Sequence, residues 1–239
     1  MNKVQAIQSL LTQASRSPKD NLCLFFKTGP GQYAEHDKFL GIAVADLRKI
    51  AKQFKDLSHT ALLTFLCSPM NEERLLALFI LTHQYQTTND NQRTACYQFY
   101  MKHLKHVNNW NLVDASAHLI LGAHLFQGDK SILLTLAKSD SLWERRIAIV
   151  STWYFIRNNE LSWTFKIGKL LLQDDQDLIH KAVGWMLRET GKRSVTELIV
   201  FLEQHADQMP RTMLRYAIEK FPETQRKRYL LQKKVSQKI

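Results

Sequence analysis

The sequence predicts an all-α fold, an α-solenoid of paired helices, and three observations predict it. Aligned on their apolar rows, five helix-like segments put Arg74, Asp114, Arg146, Lys181 and Arg215 at one register, in R-LLAL, D-ASAH, R-IAIV, K-AVGW and R-YAIE. Their intervals of 40, 32, 35 and 34 residues match the period of helix-pair repeats, in which equivalent positions line one face of a superhelix. Sustained period-two alternation and Asn-Gly hairpins, which would mark strands, are missing. The 5 prolines and 8 glycines sit almost entirely where helices begin or end.

Element by element, the N-terminal MNKVQAIQSLLTQA is amphipathic, without the apolar core or cleavage site of a secretion signal. Ser17-Pro18 has the form of an N-cap followed by proline at the first helical position. Helical patterning stops near Phe26 and resumes near Ile42. Between them KTGPGQYAEHDKFLG is rich in turn formers, and Gly29, Pro30 and Gly31 would break a helix. It reads as a connecting loop, or as one that touches a ligand through Tyr33, His36 or Asp37.

Helix pairs follow. Thr60 to Leu66 goes with Asn71 to Gln84, Arg93 to Leu104 with Trp110 to Leu125, and Ser131 to Ala137 with Trp143 to Ile156. Leu161 to Leu172 goes with Leu178 to Thr190, and Val195 to His205 with Pro210 to Lys220. Each second helix carries the register residue. Ser141 with Glu144 and Ser194 with Glu197 have the spacing of a capping box.

A chain of 239 residues is long enough for a large core, and is expected to form a single domain over 1–239 with a basic tail from about 223. Its 33 Lys and Arg against 22 Asp and Glu leave a net charge of +11, which favours a polyanionic partner such as nucleic acid. From Arg188 onward the balance alone is +6, ending in RKRYLLQKK. That run is a solvated helix end or an unspecific phosphate-binding tail. Cys23, Cys67 and Cys96 are odd in number and widely spaced, so neither a disulfide framework nor a zinc cluster is expected. His103 and His106 have no Cys or carboxylate set to complete a metal site, and none is expected. The longest apolar run, Leu75 to Leu81, is far short of the ~20 residues that span a bilayer. Together these features suggest a soluble cytoplasmic protein with no membrane partner.

A charge at a repeated surface register is also what the solvated side of any amphipathic helix produces. Asp114 is the one acid in an otherwise basic row, and it lies one helical turn after Trp110. An aromatic plane and a carboxylate thus share a helix face. Trp143, Trp153 and Trp163 are expected in the core. Trp110 and Trp185, each one turn from a register position, are candidates for the surface.

FFKTGPGQYAEHDKFLGI, NNWNLVDAS, LWERRIAIV and HKAVGWMLRE, taken in this order, resemble the AlkD-like DNA alkylation repair family from about Leu22 to Phe221. The resemblance implies HEAT-like helical repeats with a concave basic groove. It implies a glycosylase that removes cationic alkylpurines such as 3-methyladenine and 7-methylguanine from duplex DNA, without flipping the base and without cofactor or metal. Trp110 and Asp114 match the family's first cleft tryptophan and its essential aspartate, Arg146 its cleft arginine, and Trp185 its second cleft tryptophan. Arg146 would hold a backbone phosphate; Arg74, Lys181, Arg188, Arg215 and Tyr33 would extend the DNA contact. The resemblance further implies a nucleoid-associated monomer. Two features suggest another branch, one that binds branched or unusual DNA without excision: the KTGPGQYAEHDKFLG segment, and Ala45 in GIAVADLR, where relatives more often have proline. A HEAT-type protein-binding scaffold would call for an apolar or acidic groove, whereas the register here is basic.

Overall fold

A computed structural model describes residues 2–16 and 25–232. The Ser17-Pro18 helix start, Cys23 and the tail beyond Gln232 lie outside the described residues. Among the described residues every regular element is helical, apart from one isolated parallel bridge between Lys38 and Met70. The chain divides into two compact units, Met1–Ile120 and Leu121–Ile239. No helix among the described residues is long and apolar enough to cross a membrane.

The first unit contains α1 (Lys3–Ala14), α2 (Val44–Gln53), α3 (His59–Leu66), α4 (Asn71–Thr87), α5 (Asp90–Lys102) and α6 (Trp110–Ala117). Asn2, Ser58 and Asn89 start α1, α3 and α5 by accepting a backbone N–H with the side-chain oxygen. α4 is the hub: Leu75 through Thr82 are all buried, so it is apolar around its whole circumference. Such a helix is stable only when neighbours cover every face, and α2, α3, α5 and α6 all pack on it. The loop 27–43 before α2 turns at Gly31 and Gly41, both with φ above +70°. At Gly41 that left-handed backbone aims two successive N–H groups, of Leu40 and Gly41, at the Glu72 carboxylate (3.0 and 2.9 Å). The loop is therefore bolted to the first turn of α4.

The second unit holds α7 (Ala123–Leu125), α8 (Ile132–Leu136), α9 (Leu142–Arg157), α10 (Ser162–Leu170), α11 (Asp177–Gly191), α12 (Val195–His205), α13 (Arg211–Ala217) and α14 (Glu223–Gln232). Within it α9, α11 and α13 pack in series, with α8, α10 and α12 beside them. The pairs α8 with α9 and α10 with α11 are those that the apolar periodicity predicts, whereas α12 packs on α11 and not chiefly on its expected partner α13. Ser141 and Ser194 cap α9 and α12 by accepting from Glu144 N and Glu197 N. Gly184 permits a close helix contact: a Cβ there would lie 2.5 Å from the Met213 carbonyl oxygen and from Tyr216 Cβ of α13.

One predicted element differs. Trp110 to Leu125 was expected as a single α-helix, but α6 ends at Ala117 and gives way to a π-turn, His118–Gly122, before α7. At the end of this wider turn, Gly122 lies against the Ser151 carbonyl and Tyr154 of α9, where no side chain would fit. The three tryptophans expected in the core are a second correction. Trp143, Trp153 and Trp163 are all only half-buried, since the core positions of α9 and α10 are filled by Ile147, Val150, Phe155 and Ile167.

Candidate nucleic-acid interface and catalytic residues

In the first unit, α6 carries Trp110 at its first position and Asp114 one turn later, and both are half-buried. Asn109 starts the helix: its Oδ1 accepts the Trp110 N–H at 2.7 Å, while its Nδ2 donates to Asp37 at 2.7 Å. Near the other end Ser116 Oγ meets the buried Tyr100 hydroxyl of α5 at 3.0 Å. Burial pushes the Tyr100 hydroxyl well above its ordinary pKa, with the Ser116 hydrogen bond opposing. The helix that bears the candidate carboxylate is thus pinned at both ends.

The Trp110 ring stacks on Phe26, with centroids 5.1 Å apart and planes 13° from parallel, and takes an edge contact from Phe25 at 5.3 Å. Phe26 in turn leans on Phe39 at 4.7 Å. Phe26 is buried while Phe25 is 64% exposed, so this aromatic group opens to solvent along its Phe25 edge. Of the loop residues raised as ligand contacts, Tyr33 is half-buried and His36 is exposed, with Nε2 2.7 Å from Asn108 Nδ2. Asp37 is buried and structural: its carboxylate accepts from Asn71, Asn109 and Arg74.

This corrects the basic row at its first position. Arg74 is 3% exposed, with one guanidinium nitrogen on Asp37 and another donating to the Ser68 carbonyl at 2.8 Å. Its charge is spent inside the protein, and little of it is presented to phosphates. Its countercharge comes from a loop 37 residues earlier, which a helix-to-helix alignment cannot display.

The second unit contributes the remaining candidates. Arg146 in α9 is also largely buried, 5% exposed, and donates to the Leu178 carbonyl at 2.6 Å. Rather than standing free as a phosphate clamp, it ties α9 to the first turn of α11. Its neighbour Arg145 pairs with Asp174 at 2.6 Å. Lys181 is two-fifths exposed and pairs with Asp177 at 2.7 Å. Burial pushes the Asp177 carboxyl up, but the Lys181 hydrogen bond and charge, with Thr212 and His180, outweigh it and hold the group below its ordinary value. Arg188 pairs with Glu219, and Arg215 is exposed. The solvent-facing Lys181–Asp177 pair contributes little stability, about 0–1 kcal/mol, so a phosphate can replace that carboxylate at small cost. Trp185 of α11 meets Trp153 of α9 edge to face, centroids 4.9 Å apart, and both stay half-exposed.

Asn71, Asn109, Phe25 and Phe26 were not singled out by sequence reasoning, and Asp37 was raised only as a ligand contact of the loop. Asn109 carried the one usable signal, an N-cap residue type directly before a periodic helix.

Comparison with known proteins bears on the fold and on the family. A solved structure described as a predicted DNA alkylation repair enzyme from Enterococcus faecalis superimposes with a TM-score of 0.62 at 16% identity, covering 87% of this chain and 99% of its own. At that identity the likeness concerns the fold. Among curated proteins no match is found. The sequence model of the family described as DNA alkylation repair enzyme matches residues 6–221. That span takes in both units and every candidate residue, and the chain belongs to the DNA alkylation repair enzyme family.

Proposed function

We propose that this protein is a DNA glycosylase that excises cationic alkylpurines from duplex DNA. The reading takes the helix pairs as a HEAT-like solenoid whose second helices line a concave basic groove. The observation that carries it is Asp114, a half-buried carboxylate one turn from a tryptophan braced on an open aromatic group. Family membership and the net charge of +11 support DNA as the substrate.

An N-alkylated purine bears a positive charge and leaves as a neutral base, taking both electrons of its bond to C1′. Positive charge then grows on the deoxyribose. A carboxylate beside the sugar stabilises that oxocarbenium-like state and orients a water, which bonds to C1′ and gives up a proton to leave an abasic site. Asp114 takes this role. Trp110 and Trp185 lie against the cationic nucleotide, each contact contributing about 0.5–2 kcal/mol depending on desolvation. Lys181, Arg188 and Arg215 hold backbone phosphates, with Tyr33 at the edge. Arg146 keeps α9 and α11 in place. Gripping the duplex from outside needs no deep base pocket.

Two outcomes follow from this chemistry. Binding to duplex DNA should weaken log-linearly with salt, by roughly 40- to 150-fold between 50 and 200 mM if three or four phosphates are held. An affinity unchanged over that range in a fluorescence-anisotropy titration rules out the phosphate contacts. In single-turnover assays a duplex bearing 7-methylguanine should lose its base far faster than the same duplex bearing hypoxanthine, an uncharged and poorer leaving group. Equal rates would show that leaving-group charge plays no part. Binding to branched DNA with no release of either base would assign the protein to a non-catalytic branch.

A further inference from the structure

Asp37 is the most enclosed carboxylate near α6, and excision chemistry has no direct use for it. Its side chain has no exposure, and Arg74 Nη2, Asn71 Nδ2 and Asn109 Nδ2 donate to it, the latter two at 2.7 Å. A carboxylate is tolerated in such a place only when countercharge and hydrogen bonds replace its water. Two of those donors come from the start of α4, and the third is the residue that starts α6. The amide of Asn109 has two faces, and only one orientation satisfies both neighbours. With Nδ2 on Asp37, Oδ1 faces the Trp110 N–H at 2.7 Å. Turned over, the amide would set oxygen against carboxylate and NH2 against N–H, losing both bonds.

We propose that Asp37 is a positioning residue for the reaction: by choosing the orientation of the Asn109 amide it fixes where α6 begins. It thereby sets the direction of Trp110 at the first helical position and of Asp114 one turn on. Asn71, itself held by Asp37, exchanges side-chain hydrogen bonds with Asn111 (2.7 and 3.4 Å), so the same carboxylate steadies the first turn of α6 from a second side. The loop 27–43 then serves to deliver one buried charge to the base of the catalytic helix. This rests on the glycosylase reading for its consequence in rate, though not for its consequence in geometry.

Three variants of the full-length chain separate positioning from mere support. Asn109→Ser keeps a capping hydroxyl but drops the arm to Asp37. Asn109→Asp sets two carboxylates face to face. Asp37→Asn with Asn109→Asp exchanges donor and acceptor and restores the polarity of this one link, while giving up the Asn71 bond, which shares the same Asp37 oxygen. Single-turnover release of 7-methylguanine, with protein in excess, reads the rate constant of folded molecules only. The 19F spectrum of protein labelled with 5-fluorotryptophan reads the ring of Trp110, its line assigned through Trp110→Phe. Both single variants should lower the rate constant at least about tenfold, as small misplacements of reacting groups do, with DNA affinity within about twofold. The Trp110 line should shift or broaden while the Trp185 line stays, and the exchanged pair should recover part of both relative to Asn109→Asp. Should Asn109→Asp not fold, Asn109→Ser and the exchanged pair carry the comparison. A parental rate constant and a parental Trp110 line in the folded single variants would overturn the proposal. If the parent itself frees no base, the glycosylase reading falls, and the Trp110 line alone decides the positioning.

Discussion

Replacing Asp114 with Asn should leave the helical fold intact and slow base release by about 10²- to 10³-fold, the usual loss when one preorganised electrostatic group is removed, about 2.7–4 kcal/mol in the barrier. The substitution keeps the planar shape and volume of the side chain, and α6 remains held through Asn109 and through Ser116 on Tyr100. What it removes is the negative charge that would face the sugar as the base departs. DNA affinity should change little, because Asp114 gains its importance only as charge develops on the deoxyribose. Single-turnover rates, with circular dichroism as the control for folding, give the comparison. Full activity in the Asn variant would leave the carboxylate without its assigned role.

The largest effect on stability is expected in the same unit, at the buried carboxylate against the start of α6. Arg74→Met should destabilise the protein by about 3–5 kcal/mol, because a fully enclosed Asp37 loses its countercharge while keeping its burial. Asn71 and Asn109 still donate to the carboxylate, but neutral donors do not replace a guanidinium. Combining Arg74→Met with Asp37→Asn should cost much less than the sum of the separate losses, since no bare charge remains inside. Urea denaturation of the two single variants and the double one measures this coupling. If the losses simply added, the buried pair would not be the unit described.

The all-helical pattern and most of the helix positions were legible in the sequence because their signals are local. The apolar rows of α9 and α11, the caps at Ser141 and Ser194, and the breaks around Gly29 to Gly31 each lie within a few residues of the structure they specify. The π-turn after Ala117 was not, since the residues that face Gly122, Ser151 and Tyr154, lie about thirty positions on. The candidate site divides in the same way. Trp110 and Asp114 share a helix, so one turn of spacing puts them together. Arg74 and Arg146 have the register of surface cations, but one finds Asp37 and the other the Leu178 carbonyl. Both partners are supplied by tertiary contacts between distant segments. A repeat alignment weighs equivalent helices against one another and gives no weight to an irregular loop such as 27–43.

The central claim is that a carboxylate on α6 assists the departure of a cationic base from duplex DNA. It is tested most directly by incubating the protein with a duplex carrying a single 7-methylguanine and quantifying both products. The account predicts free 7-methylguanine and an equal amount of abasic site, with the strand unbroken until alkali is added. A duplex that is bound yet retains its base under protein excess would contradict it.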